Sequence, residues 1–156
     1  MPRIYRAKEG HVHKPPKFEI ETSLNPIMAI EYRINPSLSL TDFINILDKS
    51  TLGERRPLHD TEAMQLMLDH ANAYIGAYDG EKLVGLARAM TDFSFTTYLA
   101  DLAVDEAYQH QGIGKALIDQ LKAHTPNAKI ILVAAPKAMD YYPKIGMVER
   151  RGCYTT

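Results

Sequence analysis

The sequence predicts one mixed α/β (α+β) domain: a mixed central sheet with helices on both faces, in the order β-α-α-β-β-β-α-β-α-β. Three observations predict it. Residues 74–78 and 82–90 are β-prone runs joined by Asp79-Gly80-Glu81, and Asp-Gly between such runs is a strong hairpin signal. Residues 94–104, 112–124 and 129–134 read strand, helix, strand, and such a unit is right-handed with parallel strands. Segments 41–47 and 60–71 read as two further helices placed between a first strand and the hairpin.

The elements follow in order. Residues 1–27 carry Arg3, Arg6, Lys8, His11, His13, Lys14, Pro15, Pro16 and Lys17 with little periodicity, and read as an arm with one short strand at 18–22. His11 and His13 lack a third ligand nearby, so a solvated arm is the simpler reading and no metal is expected. The domain proper is expected over 28–156. At 28–34, Ile30, Tyr32 and Ile34 alternate with Ala29, Glu31 and Arg33, as in a strand. Asn35-Pro36-Ser37 stops it, and Ser39 or Thr41 caps the helix that follows. Residues 50–59 are a loop containing Gly53 and Pro57. The helix at 60–71 places Met64, Met67, Leu68 and Ala71 on one face, which reads as core. After the hairpin, a turn at Thr91-Asp92 leads into a third antiparallel strand at 94–104. The helix at 112–124 buries Ile113, Ala116, Leu117 and Leu121 and turns Lys115, Asp119 and Lys122 outward. Lys129-Ile130-Ile131-Leu132-Val133-Ala134 is nearly all apolar, as in a strand buried on both faces. Residues 136–144 form a short helix or turn, and 146–149 with 152–154 supply closing strand material.

Bulk properties narrow the function. At 156 residues, the chain can bury a proper core without staples. Eighteen basic against nineteen acidic residues leave a net charge of −1, so no basic face for nucleic acid is implied. The single cysteine, Cys153, forbids an internal disulfide and fits a reducing compartment, with the cytoplasm as the expected location. No apolar run is long enough to span a membrane, and no membrane partner is expected. Cys153 reads as a packed small residue rather than a nucleophile.

Between strand 94–104 and helix 112–124 lies a polar loop ending in Gly112-Ile113-Gly114. A strand–loop–helix unit of this kind offers free N–H groups where the helix dipole favours an anion, most often phosphate. A Walker loop fails here, because Ala116 follows Gly114-Lys115 and Gln109 stands where its first glycine is needed. A dinucleotide loop is disfavoured by Leu117 at its third position and by the length of the loop.

The pattern Q/R-x-x-G-x-G/A remains, matched by Gln109-His110-Gln111-Gly112-Ile113-Gly114. With Asp101-Leu102-Ala103-Val104-Asp105 before it and Gly114-Lys115-Ala116-Leu117 after it, the chain resembles the GCN5-related N-acetyltransferase (GNAT) family. Tyr141-Tyr142-Pro143-Lys144-Ile145-Gly146-Met147 resembles that family's F-Y-x-K-x-G-F segment, with Met147 in place of phenylalanine. The resemblance covers residues 28–156 and implies a GNAT-like fold. It implies acetyl-CoA as co-substrate, bound at the loop Gln109, His110, Gln111, Gly112, Ile113, Gly114 and Lys115, with its pyrophosphate on the N–H groups of Gln111 to Lys115. The backbone of Leu102, Ala103 and Val104 would pair with the pantetheine arm, which needs strands 94–104 and 129–134 to splay apart, commonly at a bulge.

The implied activity is direct transfer of an acetyl group to a primary amine of a small molecule or peptide. The alternative is an acetyl-CoA or CoA-binding sensor without turnover. A protonated amine must lose a proton before it attacks, and the leaving thiolate takes one up. The resemblance makes Tyr142, four residues before Gly146, the general acid, with Tyr141 as its rival. Asp101, on the strand beside the expected thioester, is the candidate base, directly or through water. The 50–59 loop should wall the amine pocket, where Arg55 and Arg56 either orient an acidic substrate or stay solvated. Many family members pair, so a homodimer is expected by analogy, reinforced by the arm.

Overall fold

The computed structural model describes residues 29–156. The 1–27 arm, its 18–22 strand and His11 and His13 lie outside the described residues. Five strands form one sheet in the order β1-β2-β3-β4-β5. They are β1 (Glu31–Ile34), β2 (Ala73–Asp79), β3 (Lys82–Thr91), β4 (Thr96–Val104) and β5 (Lys129–Ile131). The first four pair antiparallel, and β4 pairs parallel with β5, so the sheet is mixed as its sequence predicts.

Helices α1 (Leu40–Lys49) and α2 (Thr61–Asp69) precede the hairpin. Each starts at a side chain that satisfies an otherwise free N–H group. Ser39 Oγ accepts the Asp42 N–H at 3.0 Å, and Asp60 Oδ1 accepts the Ala63 N–H at 3.0 Å. A 3-10 turn, Leu52–Arg55, occupies the loop between them. Phe43, Ile46, Leu47 and Met64 pack onto Leu86 and Ala103 to make a core on one sheet face. Helix α3 (Ile113–His124) covers the other face, setting Ile113, Leu117, Ile118 and Leu121 against Ile75, Ala87, Ala89 and Leu99. Ile118 takes the place expected for Ala116, which is only partly buried. The β3–β4 turn closes on Asp92, whose Oδ1 accepts the N–H groups of Ser94, Phe95 and Thr96 at 2.9, 2.8 and 3.0 Å.

Three expectations are corrected at the chain's two ends. The first strand begins at Glu31, within the 28–34 segment expected to form it. Strand β5 spans Lys129–Ile131, shorter than 129–134, and is not buried on both faces. It is the edge of the sheet, so Ile131 and Val133 remain exposed at 47% and 58%. The closing strand is also missing, since residues 146–154 adopt no regular structure. Positive φ angles at Gly146 and Gly152, 88° and 106°, and the polar run Glu149-Arg150-Arg151 break the alternation a strand needs. Without that strand, nothing among the described residues covers the outer edge of β5. The short helix α4 (Tyr141–Lys144) falls where a helix or turn is expected.

Candidate active site

Pairing of β4 with β5 runs through Thr96–Lys129, Thr97–Ile130 and Tyr98–Ile131 and stops there, while β4 continues to Val104. The two strands therefore part just after Tyr98. The register between β3 and β4 jumps at the same level: Ala89 faces Leu99 and Arg88 faces Asp101, leaving Ala100 as the extra residue of a bulge. A bulge re-aims the strand and leaves one residue outside the ladder. The split and the bulge expected from the resemblance thus coincide, with Leu102, Ala103 and Val104 on the stretch of β4 beyond them.

At the far end of that stretch the loop is held by its own side chains. Asp105 Oδ1 accepts the Ala107 N–H at 3.0 Å, Tyr108 donates its hydroxyl to Asp79 at 2.7 Å, and Gln109 Nε2 donates to the Val104 carbonyl at 3.0 Å. His110 then adopts φ 62° and Gly112 φ 82°, left-handed conformations that turn the chain into α3. Glycine takes this region without strain at position 112, and a Cβ built there meets nothing within 4 Å. The first bond inside α3 is donated by Ala116 to the Gly112 carbonyl at 3.0 Å. The N–H groups of Gly112, Ile113, Gly114 and Lys115 precede that ladder, and free N–H groups at a helix start are the arrangement that favours an anion. Lys115 turns outward to pair with Asp119 at 2.5 Å. A Cβ added to Gly114 would lie 2.8 Å from the Tyr141 hydroxyl, so that glycine makes room for the tyrosine over the first turn of α3. The open backbone cradle and the free edge of β4 suit a long ligand with a diphosphate at one end.

The two tyrosines of α4 diverge. Tyr141 reaches the helix start, whereas Tyr142 packs against the α3-side core, as do Leu102, Val104, Ile130 and Leu132 from the two sides of the split. Their rings meet edge to face at 5.3 Å. Burial pushes the hydroxyl pKa of both above the ordinary tyrosine range; the Asp119 charge adds to this at Tyr141, and Tyr141 adds to it at Tyr142.

Asp101 lies on the opposite face, fully buried between two guanidinium groups. Arg56 Nε donates to its Oδ1 at 2.7 Å, and Arg88 Nε donates to its Oδ2. Arg56 also donates to the Ala100 carbonyl at 3.0 Å and to the Arg55 carbonyl at 2.9 Å, while Arg88 Nη1 donates to the Met67 carbonyl at 3.0 Å. Both oxygens of Asp101 are thus occupied by cationic donors rather than offered to a substrate amine. Arg56 is partly buried and turned onto Asp101 and the Ala100 carbonyl; Arg55 beside it is exposed. A signal for the Arg88–Asp101 pair did exist: opposite charges stand inside two apolar runs expected to be neighbouring strands. Beyond this pair, toward the β3–β4 turn, a shallow open depression of about 400 Å³ is lined in part by His70, Met90 and Tyr98.

Comparison with known proteins assigns the class. The profile of the acetyltransferase (GNAT) family matches residues 40–147, and the chain belongs to that family. It is therefore an acetyltransferase, and the donor its family uses is acetyl-CoA. The chain is 31% identical over 130 residues to the uncharacterized N-acetyltransferase ycf52 of Gracilaria tenuistipitata var. liui, covering 74% of this chain and 68% of that protein. It is 38% identical over 76 residues to the chloroplastic GCN5-related N-acetyltransferase 2 of Arabidopsis thaliana, a match to 44% of this chain and only 30% of the plant protein. Among solved structures, a GNAT family protein of Streptococcus pneumoniae superposes with a TM-score of 0.64 at 21% identity, over 81% of this chain and 97% of that one. An aminoglycoside acetyltransferase from an uncultured soil metagenomic sample, bound to sisomicin, superposes at 0.60 with 19% identity over 81% and 94% of the two chains. At these identities the two structures speak for the fold.

Proposed function

We propose that the chain moves an acetyl group from acetyl-CoA directly to a primary amine of a small molecule or peptide. The observation that carries the reading is the alignment along β4 of a split, a bulge at Ala100 and a glycine cradle at the start of α3. When bound, the coenzyme supplies the electrophilic thioester carbonyl and a thiolate leaving group. The N–H groups of Gly112–Lys115 bind its diphosphate, and the free edge of β4 at Leu102, Ala103 and Val104 pairs with its amide arm. Tyr142 keeps its proton through the neutral range, because burial disfavours its phenolate, and donates it to the departing sulfur. The amine approaches over the face bearing α1 and α2, walled by the 50–59 loop. Asp101 serves this reading as the clamp of two guanidiniums. The amine's proton passes to solvent water.

The test pairs binding with turnover. At a hundred times its dissociation constant, acetyl-CoA should stabilise the protein by about 2.7 kcal/mol, raising Tm by roughly 5–10 °C. Thiol release is then followed with a panel of a polyamine, sisomicin and a lysine peptide. Stabilisation with release on one amine supports the reading; stabilisation without release on any amine makes the chain a coenzyme-binding module; neither effect ends it.

A further inference from the structure

Arg56 touches three acceptors that belong to different parts of the site. Its guanidinium meets the buried carboxylate of Asp101, the Ala100 carbonyl at the bulge and the Arg55 carbonyl of its own loop, at 2.7, 3.0 and 2.9 Å. A bulged residue stands outside the strand ladder, so its carbonyl needs another partner, and Arg56 supplies one. The same side chain ties the 50–59 loop to the sheet, beside the packing of Leu52 and Leu58 on the core. Two residues earlier in the loop, Glu54 meets Lys137, beyond β5, at 3.6 Å, with both side chains mostly exposed. The short stretch from Glu54 to Arg56, at the end of the 3-10 turn, therefore touches both β4 and the segment after β5, across the split. The two contacts differ in strength: a forked, charge-assisted and largely buried one at Arg56, and a solvent-screened ion pair at Glu54.

We propose that Arg56 is a positioning residue that sets the bulge and the amine-side loop in one register, so that the thioester cradle and the acceptor wall hold a fixed spacing. This rests on the acetyl-transfer reading for its catalytic consequence, but not for the structural coupling itself. Arg56 touches no reacting atom; it acts through Ala100 and the loop. Lysine cannot replace it, because a single ammonium on a flexible stem does not span a carboxylate and two carbonyls in one plane.

Hydrogen exchange on the full-length protein without ligand tests the coupling directly. Arg56→Lys and Arg56→Gln should each speed exchange of the amides at 52–56 and 99–102 together, by about tenfold or more, and leave the β2–β3 amides unchanged. Glu54→Gln should speed only the 52–56 amides. Unchanged exchange at 99–102, a uniform rise over the whole sheet, or full protection in Arg56→Lys overturns the proposal. On the amine chosen from the panel, both Arg56 variants should lose kcat by about a hundredfold, while the dissociation constant of acetyl-CoA shifts less than about threefold. Wild-type kcat in Arg56→Lys also overturns the proposal. If the wild type turns over no amine, the transferase reading falls and the exchange result still decides the coupling.

Discussion

Replacing Asp101 with asparagine separates a structural carboxylate from a catalytic one. The side chain is fully buried, and its two partners, Arg88 and Arg56, have 7% and 22% of their side chains exposed. Asparagine keeps the shape but removes the charge and turns an amide donor toward a guanidinium. Stripping the anion from a buried pair leaves an uncompensated cation, which costs about 3–5 kcal/mol. Arg88 carries most of that loss, because Arg56 can still reach solvent and the Ala100 carbonyl. For a domain of this size, the loss corresponds to a fall in Tm of roughly 6–20 °C. Urea unfolding at pH 7, analysed for midpoint and slope, measures it, with calorimetry as the check on two-state behaviour. The triple variant Arg56→Met, Asp101→Leu, Arg88→Met should regain much of the lost stability, since a packed apolar set needs no charge balance. A loss below about 1 kcal/mol in Asp101→Asn, together with a collapse of kcat, would refute the clamp and return Asp101 to the role of base.

Three other outcomes are expected. Tyr142→Phe should lower kcat by about a hundredfold or more while acetyl-CoA affinity stays within about twofold, as isothermal titration beside a thiol-release assay can read. Gly114→Ala places a Cβ 2.8 Å from the Tyr141 hydroxyl, so the tyrosine must move; acetyl-CoA affinity should fall about tenfold, with Tyr141→Phe restoring part of it. Burial raises the pKa of Tyr74, Tyr78 and Tyr142 above the ordinary 10.0. Below pH 10 their contribution to stability is intact; as pH rises through 10 the unfolded chain releases protons that the folded one retains, so stability falls toward the folded-state values. Urea midpoints between pH 9 and 11 should decline accordingly, and a flat profile would contradict the burial of these hydroxyls.

Features held by short-range chemistry were legible in the chain. The cap at Ser39, the Asp79-Gly80 hairpin and the glycine loop before α3 each draw on residues within one turn of one another. Arg56's part in the clamp on Asp101 was not, because the two stand 45 residues apart and meet only once the sheet and the 50–59 loop are assembled. Arg56 looked like a solvated loop arginine for that reason. The edge of the sheet failed for a related one: Ile131 and Val133 have the composition of a buried strand, and whether a neighbour covers them depends on residues 146–154.

Periodicity and turn chemistry in the amino-acid order determined the mixed sheet and the glycine-rich helix start, while the motifs Gln109–Gly114 and Tyr141–Met147 carried the acetyltransferase resemblance. They could do so because backbone geometry and helix ends answer to local side chains. Tertiary structure alone decided where β4 leaves β5, that Ala100 is the bulged residue, and that Tyr141 rather than Tyr142 reaches the start of α3. It also placed Asp101, the candidate base, at the centre of an ion-pair clamp. Those outcomes depend on register between distant strands, and register is settled when the two cores pack on either side of the sheet.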